Sequence, residues 1–156
     1  MMHPYISGPM SNYEHHNFPA FFACEERLIE LGHKPINPAR LTPDCTWESA
    51  ARDALENAES WESCIRRDVE AMLDADSICL LPGWNTSRGA CLELVLAVSM
   101  GYPVLIWDPK EQTVKQLPVY DSVDIELYYN VAVNHLKKIG TISPLDMYNP
   151  SRDVLY

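Results

Sequence analysis

The chain has 156 residues, which makes it one domain by length, residues 1–156, with a sizeable core. Its composition, 47% hydrophobic and 22% charged, is that of a soluble globular protein. A net charge of −10 argues against a nucleic-acid polymer or another polyanion as partner, because such affinity comes from clustered Lys and Arg. It leaves room for a single nucleotide, whose phosphate a helix N-terminus can hold.

No stretch reaches the roughly 18 apolar residues a membrane helix needs, and the N-terminus lacks the parts of a signal peptide. The expected location is therefore cytoplasmic, with no membrane partner. Cys24, Cys45, Cys64, Cys79 and Cys91 form no CxxC pair and no metal-type spacing, so they read as reduced thiols.

In chain order, residues 3–7 make a short strand that stops at Gly8-Pro9. A helix begins at Asn17, with Pro19 in its first turn, an apolar face of Phe18, Phe21, Phe22, Leu28 and Leu31, and Gly32 as its end. Lys34 to Asn37 is a second short strand or extended piece. Residues 38–58 read as polar and irregular, with a helix near 48–58. Trp61 to Leu73 is an amphipathic helix with Trp61, Ile65, Val69, Met72 and Leu73 toward the core. Ser77 to Leu81 is a buried strand. Ser87 caps a helix that runs to about Met100, closed by Gly101. Pro103 to Trp107 is a further strand, and residues 122–138 form a last helix stopped by Gly140. The tail from Thr141 has no assignable element.

Short apolar strands alternating with helices predict an α/β fold whose mostly parallel sheet is covered on both faces. Ligands of such sheets bind beyond the carboxyl ends of the strands. The loops at Gly8–Asn12, Asn37–Thr42, Pro82–Ser87 and Asp108–Lys110 are therefore expected to build the site.

Glu93 is the sharpest chemical signal. It is the only charged residue from Gly89 to Trp107, on a helix that is apolar nearly all round. Gly89, Ala90, Ala97 and Gly101 share its face, so space is kept free beside it. The alternative is a structural Glu bonded to neighbouring backbone. Asp68 falls within the apolar stripe of its helix, as a general acid or base would, or as a partner of Arg67. Asp76 reads as a turn residue. Ser87, Arg88 and Gly89 offer a hydroxyl, a guanidinium and free amides for a phosphate, although Ser87 alone would serve as a plain cap. Gly8 lets a ligand approach the backbone. His15-His16 lacks a second ligand cluster and is not read as a metal site, and no dinucleotide or triphosphate motif is present.

Tyr5-Ile6-Ser7-Gly8-Pro9-Met10, Asn17-Phe18-Pro19, Asp68 seven residues before Ala75-Asp76, and Ser87-x-Gly89-x-x-x-Glu93 occur in order. Over about residues 3–108 this set resembles the nucleoside 2-deoxyribosyltransferase-like superfamily, and within it a small, often phage-encoded branch. The resemblance implies a flavodoxin-like three-layer sandwich, a homodimer or larger assembly, and no cofactor. It implies Glu93 as nucleophile, Asp68 as the carboxylate beside the base, and Tyr5 as the group that orients Glu93. Ser7, Gly8, Pro9 and Met10, with Ser87, Arg88 and Gly89, become the expected substrate-binding residues.

The position six residues before the nucleophile separates two reactions. Transferases of free nucleosides carry Asp there, whereas the related nucleoside 5′-monophosphate N-glycosidases carry Ser, as this chain does at Ser87. An Asp would repel a 5′-phosphate. The expected activity is therefore cleavage of the base–sugar bond of a nucleoside 5′-monophosphate through a glycosyl-Glu93 intermediate. The alternatives are base transfer between free nucleosides, a nucleotide sensor without turnover, and a structural partner protein.

Overall fold

The structure, a computed structural model, describes residues 1–118 and 123–140. Its elements are β1 (Pro4–Ser7), α1 (Phe18–Glu30), α2 (Trp47–Glu56), α3 (Trp61–Leu73), β2 (Ser77–Leu80), α4 (Arg88–Ser99), β3 (Val104–Asp108), β4 (Thr113–Gln116) and α5 (Val123–Lys138). The expected α/β class and mostly parallel sheet are both present. One four-stranded sheet runs in the order β1-β2-β3-β4, with the first three strands parallel and β4 antiparallel to β3. Sequence patterning did not anticipate β4, a short strand whose last two residues, Lys115 and Gln116, are exposed.

Lys34 to Asn37 contributes a single parallel bridge, Ile36 to Tyr5. The Ile6 amide donates to Ile36 O at 3.0 Å and the Ile36 amide to Pro4 O at 2.8 Å. These bonds lie on the edge of β1 away from β2, because alternate residues of a strand bond to opposite neighbours.

Alternation along the strands divides the core in two. Ile6, Cys79, Leu81, Leu105 and Trp107 pack with Phe18, Phe21 and Leu28 of α1 and Ala50 and Ala51 of α2. Tyr5, Ile78, Leu80 and Val104 pack with Met72 of α3, Leu94 and Ala97 of α4, and Ala132 and Leu136 of α5. Three of the five thiols, Cys24, Cys79 and Cys91, are buried and all five are free.

The helix boundaries follow local chemistry. Thr46 and Ser49 form a reciprocal capping box that starts α2, and Ser60 and Ser87 accept from Ser63 N and Ala90 N to start α3 and α4. Gly32 and Gly101 take positive φ after α1 and α4, as expected of helix-ending glycines. Two expected core residues instead meet solvent. Leu31 is the C-cap of α1, and Leu73 lies about 100° round the helix from the buried Met72. The tail from residue 141 lies outside the described residues.

Candidate active site

The carboxyl end of β1 carries two hydroxyls to one buried acid. Tyr5 and Ser7 are two residues apart in the strand and so point to the same face of the sheet. Glu93, in the second turn of α4, is 5% exposed beneath them. Tyr5 Oη donates to Glu93 Oε1 at 3.0 Å, and Ser7 Oγ donates to Oε2. Both carboxylate oxygens thus receive an O–H donor from one strand.

Burial pushes the Glu93 carboxyl up to about 8; the charge of Asp68 adds to the rise, and the two hydroxyl donors oppose it. Burial also pushes Asp68 up to about 6, with Arg67 pulling it back. The Arg67 guanidinium sits 3.7 Å from Asp68 Oδ1 and 2.7 Å from Glu59 Oε1. Burial, followed by the neighbouring Glu93 charge, raises the Tyr5 phenol well above its ordinary value, so it remains a hydrogen-bond donor.

Glu93 and Asp68 line one cavity of about 370 Å³, together with Gly8, Met10, Ser87 and Gly89. The expectation of space beside Glu93 holds at Gly89, where an added Cβ would meet nothing within 4 Å. At Gly8 an added Cβ would lie 2.7 Å from Leu81 Cβ, so packing against Leu81 demands the glycine. The cavity lies beyond the carboxyl ends of β1 and β2, as expected of a parallel sheet.

The remaining expected binding residues are placed differently. Ser7 is 1% exposed and turned to Glu93, behind the cavity wall. Pro9 and Arg88 border an adjoining cavity of about 530 Å³ that also touches Met10, Ser87 and Gly89. The Arg88 guanidinium lies 3.6 Å from the Trp61 ring centre, a cation–π contact at the junction of the two cavities. Ser87 Oγ accepts from the Ala90 amide at 3.2 Å, while the Cys91 amide makes the first main-chain bond of α4. The Arg88 and Gly89 amides therefore precede the intrahelical ladder and have no hydrogen-bond partner among the described residues.

The loop at Asn37–Thr42, expected at the site, forms the far wall, although sequence reading singled out none of its residues. Pro38, Ala39 and Leu41 reach the cavity from a loop tied down by Arg40. Its guanidinium forks onto Glu25 at 2.7 Å through both Nε and Nη2, and donates to the carbonyls of Pro43 and Cys45. Asn37 completes this network by donating to Glu25 Oε2 at 3.0 Å. Ala50, Asp53 and Asn57, on and just after α2, and His16 also line the cavity. His15, His16 and Asn17 all take left-handed backbone conformations, and the Asn17 amide donates to Pro9 O at 2.8 Å. That arrangement folds the start of α1 over the β1 loop. The residue types hold one usable signal, an Asp among alanines on a short helix with an Asn four residues on, at the helix end.

A mixed α/β chain with a buried, hydroxyl-clamped glutamate at a sheet-end cavity is the class of protein that fold and site define. The chain belongs to the family described as a domain of unknown function (DUF4406), whose model matches residues 2–106. The matched span contains Tyr5, Ser7, Asp68 and Glu93, whereas β4 and α5 follow it. No curated protein and no solved structure matches the chain.

Proposed function

We propose that the protein breaks the N-glycosidic bond of a nucleoside 5′-monophosphate, with Glu93 as nucleophile and Asp68 as acid to the departing base. The observation that carries this reading is the Glu93 carboxylate, buried, held at both oxygens by O–H donors and exposed only to a cavity shared with Asp68. A purely structural glutamate has no need of an open cavity or of a second titrating carboxyl beside it.

The chemistry follows from those two groups. One Glu93 oxygen attacks C1′ as the bond to the base breaks, and the bond's electron pair leaves with the base nitrogen. Asp68 gives its proton to the base. Water then attacks C1′, the sugar–Glu93 bond breaks, and Asp68 takes the proton back. A second base in place of water would give transfer. Tyr5 and Ser7 hold Glu93 throughout. The free amides of Arg88 and Gly89, with the Ser87 hydroxyl, would receive the phosphate at the positive end of α4.

The Ile36 bridge outside β1, and apolar clusters on both faces of the sheet, support reading the fold as a flavodoxin-like three-layer sandwich. The ordered motifs support membership of the nucleoside 2-deoxyribosyltransferase-like superfamily. A homodimer belongs to the same reading, supported by α5, where Leu127 is 56% exposed. Light scattering that finds only the 17.7 kDa chain at micromolar concentration would remove it.

Base transfer between free nucleosides is the second reading. Two observations favour it: Asp53, Glu59 and Asp68 make the cavity walls acidic, and Arg88 stacks on Trp61 instead of facing Glu93. Chromatography of a panel of nucleosides and 5′-monophosphates incubated with the protein tests both. Release of free base from monophosphates supports the first reading, and exchange of bases between nucleosides supports the second.

A further inference from the structure

One carboxylate in the cavity has no part in the chemistry at C1′. Asp53 lines the cavity from α2, with Ala50 and Ala54 beside it. Its Oδ1 accepts from Asn57 Nδ2 at 2.9 Å. Among the described residues its Oδ2 has no hydrogen-bond partner. The one arginine in the lining, Arg67, is taken by Glu59 and Asp68, and Arg40 is taken by Glu25. A half-exposed carboxylate oxygen with no protein partner, in a cavity whose lining also holds alanines and the aromatic rings of Phe18, Phe21 and Trp61, suits a planar ring with an N–H donor on its rim.

Resting on the reading above, we infer that Asp53 receives the exocyclic amino group of the departing base, so that adenine or cytosine is preferred to its deaminated counterpart. In hypoxanthine or uracil a carbonyl oxygen replaces the amino group, and its lone pairs would face those of the carboxylate. A site built to bond one partner rejects the analogue that cannot bond. Asn57 fixes the Asp53 rotamer, and Ala50 and Ala54 leave room for the ring.

The test uses binding, so that it does not depend on turnover. Glu93→Gln protein is titrated by calorimetry with deoxyadenosine, deoxyinosine, deoxycytidine, deoxyuridine and their 5′-monophosphates. The amino-bearing member of at least one pair is expected to bind about tenfold tighter or more, as a hydrogen bond to a charged group implies. Adding Asp53→Ala, or the isosteric Asp53→Asn, should bring that ratio to within about threefold. A ratio that survives both substitutions, tighter binding of the deaminated partner, or no binding of any of the eight would overturn the inference. Selective binding lost with Asp53, but without base release by the unsubstituted protein, would support the inference and overturn the glycosidase reading alone.

Discussion

The Ser7 hydroxyl donates to Glu93 Oε2, joining the last residue of β1 to the second turn of α4. Together with Tyr5 on Oε1 it favours the ionised form and so offsets part of the burial that raises this acid to about 8. Ser7→Ala removes one donor, so the Glu93 carboxyl should rise further. A hydrogen bond to a charged group is worth about 1.5–3 kcal/mol, so kcat/KM should fall roughly 10- to 100-fold. Glu93 is the higher-titrating carboxyl of the pair, so the alkaline limb of the pH profile should move upward. A loss of rate with an unmoved limb would make Ser7 a packing residue only.

Asp68 near 6 and Glu93 near 8 share one proton between those values. The order of those values puts most of that proton on Glu93, and the proposed chemistry draws on the minor form of the singly protonated pair, with Asp68 protonated and Glu93 ionised. Below about 6 the pair holds two protons, and above about 8 it holds none. The account therefore expects a bell-shaped kcat/KM profile with its maximum between the two values, which belong to the pair rather than to either residue. In Asp68→Asn the alkaline limb should vanish. The one remaining limb should follow Glu93 itself, which burial still holds above its ordinary value and which the loss of the Asp68 charge lowers from about 8. A flat profile from pH 5 to 9 would show that neither carboxyl takes part.

The same shifts govern stability. Both folded values are raised, Glu93 from 4.5 to about 8 and Asp68 from 3.8 to about 6, so the folded chain binds more protons than the unfolded one between about 4 and 8. Their contribution to stability is complete below the unfolded values and is lost as pH rises through the folded ones. Glu93→Gln resembles the protonated acid, so its melting temperature should exceed that of the parent by a margin that grows from pH 5 to pH 9. A constant margin would mean that Glu93 does not titrate in this range.

Much of this site is legible in the sequence because burying a charge leaves a mark. Glu93 stands alone in an apolar helix, and Asp68 interrupts an apolar stripe. Strand and helix limits are readable for β1 and α4, where Gly8-Pro9 and Ser87 punctuate short apolar runs, and for α3, whose amphipathic stripe spans Trp61 to Leu73. The rest depends on long-range contacts that no local pattern encodes. Ser7 reads as the end of a strand and, by resemblance, as a substrate-binding residue, whereas the packing of β1 on α4 turns it toward Glu93. The polar run 38–58 hides Arg40, which organises its loop only because Glu25 is buried on α1. α2 supplies Asp53 to the cavity although its helical pattern is short. The antiparallel β4 is two residues half-buried and two exposed, too weak an alternation to detect.

Ser87 offers a test of the phosphate end. Its oxygen caps α4 by accepting from Ala90, and aspartate caps a helix equally well, so Ser87→Asp should fold normally. The new charge would meet a 5′-phosphate directly. If two charge-assisted bonds hold that phosphate, the unsubstituted protein should prefer the monophosphate over the nucleoside by roughly two to four decades in kcat/KM. Ser87→Asp should erase most of that preference while sparing the nucleoside. Equal efficiency on both substrates in the unsubstituted protein would favour base transfer between free nucleosides.

The central claim is that the Glu93 carboxylate attacks C1′, and base release by the parent protein and Glu93→Gln, measured side by side on the best substrate of the panel, tests it most directly. The substitution keeps the side-chain shape and removes the nucleophilic charge, and the Ser7 and Tyr5 hydroxyls can still bond an amide. The account predicts release by the parent, and release by the Gln protein reduced at least about a thousandfold, with its melting temperature not lowered. Comparable release by both proteins, or none by the parent on any substrate, would contradict it.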